Sequence, residues 1–151
     1  MQRCHWCNTD NPAYVYYHDH IWGTPEHSDH KLFEMLVLES FQAGLSWECI
    51  LNRKEHFEKA FDYFDAEKVS CYDDRKIEAL MQDTGIIRNR RKITAAITNA
   101  RVFMNIQKEF GSFDSYMWGW TEGKVLYENG MSHSELSDKI SLDLKKRGMK
   151  F

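Results

Sequence analysis

The sequence predicts an all-α protein of about seven helices behind an irregular N-terminal segment. Apolar residues recur at i, i+3, i+4 spacing in stretch after stretch. Only 2 prolines and 8 glycines occur in 151 residues, which favours long regular elements over loops. No two stretches alternate in the manner of paired strands, and no internal repeat is visible. A hydrophobic content of 42% can fill a core and excludes global disorder. The length suits one domain over residues 1–151.

Met1 to Pro25 show no helical period and mix Cys, His, Trp, Tyr and Asp, so they read as ordered but irregular. Leu32, Phe33, Leu36, Val37 and Phe41 mark the first helix, with Asp29 a candidate N-cap. Gly44 breaks it. Ser46 can cap the next helix, in which Ile50, Leu51, Phe57 and Phe61 share one side. Asp65 and Asp73 cap two short helices, the second ending at Asp83-Thr84-Gly85. Ile93, Ile97, Ala100 and Met104 belong to a long helix that stops before Gly111. Phe113 to Trp120 form a short one, and Thr121 to Met131 a loop. Ser132 and Glu135 suit a capping box for a last helix through Leu136, Ile140 and Leu144 to Gly148.

The four cysteines, Cys4, Cys7, Cys49 and Cys71, are expected as reduced thiols of a soluble cytoplasmic protein. No signal core and no membrane-length apolar run is present. The net charge of −3 confines any nucleic-acid contact to a local basic patch. One such patch exists: Gly85, Ile86, Ile87, Arg88, Asn89, Arg90, Arg91 and Lys92 form a turn between two helices. Glycine there admits φ > 0 and lets amides point at a phosphate. The helix start and the four basic side chains add charge. An ordinary helix–helix turn with a solvated basic start fits the same spacing.

Trp6, Tyr14, Tyr16, Tyr17, Trp22 and Trp47 crowd the first third of the chain. An enzyme acting on a nucleobase must extrude it and hold it between aromatic faces. Glu39, inside an apolar helix eight residues before Trp47, could accept hydrogen bonds from a purine edge and favour a cationic base. The alternative is that the rings fill the core and Glu39 faces water. Cys4 and Cys7, with His5, His18 and His20, offer the ligand types that Zn²⁺ prefers. A single C-x-x-C also fits buried thiols and surface histidines.

The stretches RCHWC (Arg3 to Cys7), YYHDHIWGTP (Tyr16 to Pro25), LFEMLVLESFQAGLSW (Leu32 to Trp47), DTGIIRNRRKI (Asp83 to Ile93) and LKKRGMKF (Leu144 to Phe151) together resemble the 3-methyladenine DNA glycosylase I family. The resemblance implies a helix-hairpin-helix glycosylase fold and excision of 3-methyladenine from double-stranded DNA, as a monomer and without a redox or nucleotide cofactor. It implies Glu39 as the catalytic, base-binding carboxylate and Trp47 as its stacking partner. Trp6, Tyr14, Tyr17 and Trp22 line the pocket. Gln42, Gly44 and Leu45 belong to a loop that wedges into the duplex, and Gly85, Ile86 and Arg88 hold phosphate. Cys4 and His18 match two zinc ligands. Ile21 and Ser40 depart from the family, which has Glu and Gly there. Family members also continue past the position of Phe151 into a helical stretch carrying the other His and Cys ligands. A chain without that stretch could instead be a non-catalytic DNA-binding relic or a small zinc-stabilised interaction module.

Overall fold

The computed structural model describes residues 2–128 and 132–151. Among them the chain is wholly helical: α1 Pro12–Tyr16, α2 Asp29–Gln42, α3 Trp47–Leu51, α4 Lys54–Ala60, α5 Ala66–Ser70, α6 Asp74–Met81, α7 Arg90–Phe110, α8 Phe113–Gly119 and α9 Glu135–Lys146, with a π turn at Tyr17–Ile21 and a 3-10 turn at Asp62–Phe64. Nine α-helices among the described residues exceed the number expected, for two reasons. The stretch from Ser46 to Phe61 divides at Asn52 and Arg53 into α3 and α4. The N-terminal segment is not irregular throughout. Asn11 accepts the Ala13 amide as N-cap and Pro12 opens α1, a start signal carried by the dipeptide itself.

Helix α7 is the axis on which α2, α5, α6 and α8 pack. Ile93, Ala96, Ala100, Phe103 and Ile106 line its buried face. Phe33, Val37, Leu38 and Phe41 of α2 meet it, and Phe57, Phe61, Phe64 and Phe113 close the core. The rings interlock, with Phe103 stacked on Phe113 at 4.4 Å and Phe41 edge-on to Phe57 at 4.9 Å. Each such side chain contributes roughly 1.5–3 kcal/mol by leaving water. Each therefore outweighs a typical cap of about 1 kcal/mol, and together the phenylalanines fix where α2 sits.

The caps refine the sequence picture. Ser46, Asp65 and Asp73 cap α3, α5 and α6 as expected, and Gly111 ends α7 at φ +86°. At α2 the N-cap is Ser28, not Asp29. Asp29 instead receives the amides of Phe113 and Asp114 and the Gln107 side chain, so it caps α8 across the core. At α9 the box is Ser134 with Ser137, not Ser132 with Glu135. The expected loop from Thr121 to Met131 lies partly outside the described residues.

Candidate active site

Five dispersed aromatics come together in one continuous cluster. Trp22 meets Trp6 edge-on at 5.0 Å, Trp6 meets Tyr14 at 5.7 Å, Tyr14 meets Tyr17 at 6.5 Å, and Tyr17 meets Trp47 edge-on at 5.4 Å. The π turn makes this possible. Its wider i to i+5 bond, from the Trp22 amide to the Tyr17 carbonyl at 2.8 Å, turns the chain so that Tyr17, His18 and Trp22 share one side. Tyr16 does not join them: it is exposed and packs on His20 at 4.8 Å. Tyr17 and Trp22 also border a cavity of about 380 Å³ with Tyr16, His20, Lys31 and Glu34.

Glu39, on α2, is solvent-accessible, yet burial pushes its carboxyl above the ordinary glutamate value. The two agree if neighbouring side chains displace part of the carboxyl's hydration without closing over it. It lies close enough to Tyr17 to raise that phenol's pKa. Burial is the larger cause, and with Glu39 and Tyr14 it pushes Tyr17 up to about 12. Tyr17 thus remains a neutral O–H donor at any working pH. Trp47 has the only buried side-chain donor without an acceptor among the described residues, its indole N–H. Buried donors are nearly always paired, so this one marks an incomplete site.

After Glu39 the helix ends in a locked turn. The Leu45 amide donates to the Gln42 carbonyl and the Gln42 side chain donates to the Leu45 carbonyl, both at 2.7 Å. Gly44 sits at φ +79°, where a side chain would be strained. Gly44 and Leu45 form an exposed tip.

The basic turn joins α6 to α7, and three of its features differ from expectation. Gly85 has no positive φ; it is glycine because His56 lies against it, where an added Cβ would come within 2.5 Å of the ring. Its amide is taken by Asp83 Oδ1 at 2.8 Å. Lys92 is not a surface cation: it is 7% exposed and its ammonium donates to the carbonyls of Phe41 and Ala43 at 2.8 and 2.6 Å. Arg88 and Arg91 are exposed, whereas Arg90 pairs with Glu78. Ile86 belongs to the core, and the amides of Ile86, Ile87 and Arg88 have no partner among the described residues.

Cys4 and His18 are neighbours, with the Cys4 amide donating to His18 Nε2 at 3.3 Å. His18 Nδ1 is held by Asp19 at 2.8 Å, and Asp19 by Arg3. Those two bonds, Arg3 first, pull the Asp19 pKa far below the ordinary range. Cys7 is buried and turned toward the Tyr14 carbonyl, and His5 is exposed. Among the described residues no three His, Cys, Asp or Glu side chains converge on a metal-sized site, so the local set of Cys4, Cys7 and a neighbouring histidine is not assembled.

One site residue was not anticipated. Glu48, next to Trp47, receives the side-chain amides of Asn11 and Asn8, both at 2.8 Å. These bonds, Asn11 first, lower its pKa and tie the N-terminal aromatics to α3. The sequence signal was again Asn11-Pro12, since a residue spent as a cap is held in a fixed place.

A family model described as methyladenine glycosylase matches residues 6–151. The chain is 41% identical to DNA-3-methyladenine glycosylase 1 of Escherichia coli (strain K12) over 157 residues, covering 100% of this chain and 83% of the relative. It is 36% identical to DNA-3-methyladenine glycosylase of Haemophilus influenzae, covering 99% and 83%. Among solved structures, a 3-methyladenine DNA glycosylase I superposes with a TM-score of 0.93 at 38% identity, covering 99% of this chain and 85% of that one. A substituted form of such an enzyme in complex with 3-methyladenine gives 0.92 at 35% identity, covering 99% and 83%. With identity of this order running through α1 to α9, the chain belongs to the methyladenine glycosylase family.

Proposed function

We propose that this chain is a DNA repair glycosylase that hydrolyses the N-glycosidic bond of 3-methyladenine in double-stranded DNA, as a monomer in the cytoplasm. The observation that carries this reading is the aromatic cluster closing on Tyr17 and Trp47 beside Glu39 in a chain of this family.

Methylation at N3 leaves the nucleobase cationic, so its bond to the sugar is already weakened. Extruding it between aromatic faces and an ionised carboxylate favours the positive charge. As the C1′–N9 bond breaks, its electron pair passes to the base, which leaves neutral. Water forms the new bond to C1′ and gives its proton to solvent. Glu39 orients the base and stabilises the cationic sugar as it develops. Tyr17 offers a neutral O–H and Trp47 an unused N–H for the edges of the base.

Outside the pocket, the reading assigns phosphate to the turn at Gly85, Ile86 and Arg88 in helix-hairpin-helix fashion. The amides after Gly85, without partners among the described residues, and the exposed Arg88 support it. The Gly85 amide itself is spent on Asp83. Gln42, Gly44 and Leu45 form a tip of suitable shape to fill the space a flipped base leaves. Zinc, when bound, would take Cys4 and His18, whose ring Asp19 already orients. Two donors of the usual four are present, so tight binding needs further ligands. Metal bound by the purified protein should be lost on Cys4→Ser and kept on Cys7→Ser; loss on Cys7→Ser would reject that ligand set.

The deciding experiment is release of 3-methyladenine from methylated duplex by the purified chain. Release that is lost in Glu39→Gln supports the reading. Duplex binding without release would leave a non-catalytic DNA-binding module.

A further inference from the structure

Lys92 is unusual among the charged residues. Its side chain is buried, 7% exposed, and it forms no salt bridge among the described residues. Both observed partners are main-chain carbonyls, Phe41 at 2.8 Å and Ala43 at 2.6 Å. These belong to the last turn and the C-cap of α2. The ammonium therefore sits on the negative end of α2, where carbonyls lack helical partners and a cation is favoured. A buried charge without a counter-ion is costly to keep, and an apolar side chain could fill the same space.

What the charge joins is informative. Lys92 lies in the first turn of α7, four residues after Arg88 and directly behind the basic turn; its amide is capped by Asn89. Phe41 lies two residues after Glu39, and Ala43 precedes the Gly44–Leu45 tip. The two bonds thus span from the backbone-gripping turn to the helix end that carries the base-binding carboxylate. We propose that Lys92 is a positioning residue that sets the register between phosphate grip and base pocket, so that a duplex held at Arg88 presents its extruded base to Glu39 and Trp47. This rests on the glycosylase reading above. Small errors in such a register are costly for the chemical step, because the reacting groups must meet in near-attack geometry.

The test is Lys92→Met, which keeps length and removes the donor. Four measurements are made: folded fraction and Tm, affinity for undamaged duplex, affinity for free 3-methyladenine by tryptophan fluorescence, and single-turnover release from methylated duplex. Both affinities should stay within about threefold, while the release rate per folded molecule falls by about tenfold or more. A residue that merely holds the fold together would lower the folded fraction and move all readouts in proportion. Should Lys92→Met not fold, Lys92→Arg carries the test. It keeps the charge but changes the reach, and release should fall at least about threefold with duplex affinity unchanged. Release per folded molecule equal to wild type, in Lys92→Met or in the Lys92→Arg fallback, would overturn the inference. Absence of release by the wild-type chain would instead overturn the glycosylase reading, so the two failures are distinguishable.

Discussion

The carboxylate of Asp29, at the start of α2, receives the backbone N–H of Phe113 at 2.9 Å. Its other oxygen receives that of Asp114, and Gln107 adds a third bond. One side chain from the first long helix thus caps α8, more than eighty residues later. Asp29→Ala leaves those donors unpaired in a part-buried place. The expected cost is roughly 2–3 kcal/mol, or a fall in Tm of about 5–10 °C, with release rate per folded molecule unchanged. Thermal unfolding checks it; a change below about 0.5 kcal/mol would make the cap incidental.

Glu39 should trade stability for function. A carboxyl whose pKa is raised in the fold binds its proton more tightly folded than unfolded. Its ionisation therefore opposes folding. That penalty is absent below the unfolded pKa and complete once pH exceeds the folded value. Glu39→Gln should accordingly show a Tm at or above wild type at neutral pH, and the difference should vanish by about pH 4. Excision moves the other way. Losing a charge-assisted hydrogen bond to a cationic base costs roughly 1.5–3 kcal/mol, about ten- to a hundredfold in rate. Undiminished release by this variant would remove Glu39 from the mechanism.

Salt dependence separates the basic residues of the turn. Arg88 is exposed and unpaired among the described residues, so Arg88→Ala should reduce the slope of log affinity against log salt by about one. Arg90→Ala should do less, because Glu78 already neutralises that guanidinium. An unchanged slope in Arg88→Ala would rule out its phosphate contact.

Glu48 should act on catalysis through the N-terminal segment. Its pKa is lowered by Asn11 and then Asn8. The tether is therefore intact above the ordinary glutamate value and is lost only as pH falls through the lowered one. Glu48→Ala should speed amide hydrogen exchange at Cys7 and Asn11, whose bonds lie in the tethered segment, and slow release by roughly tenfold. Exchange matching wild type would show that aromatic packing and the remaining bond from Asn11 to Asn52 hold the segment without Glu48.

Much of this was legible in the sequence because periodicity reports burial directly. The apolar stripe of α7 and the Asp65, Asp73 and Gly111 boundaries follow from local chemistry. The residues that failed local reading are those whose partners are remote. Asp29 and Lys92 both look like ordinary helix-start residues, yet one caps a helix across the core and the other a helix end 49 to 51 residues earlier. The aromatic residues were legible as a group, but their convergence depends on a π turn that no period announces.

The contact of His56 with Gly85 has a consequence for how this protein can diverge. Gly85 carries no special backbone angle, so the requirement for glycine comes from its neighbour alone. A methyl group at position 85 would collide with the imidazole down to its Cβ, at 2.9 Å. That requirement lapses fully only when position 56 loses its Cβ as well as its ring. The two sites are thus epistatic, a non-additivity expected of residues in contact: Gly85→Ala is damaging on this background and tolerable beside His56→Gly, whereas His56→Ala keeps the Cβ at 2.9 Å and relieves the clash only in part. Among descendants of this chain, glycine at the turn should be lost only in lineages that have first given up the histidine.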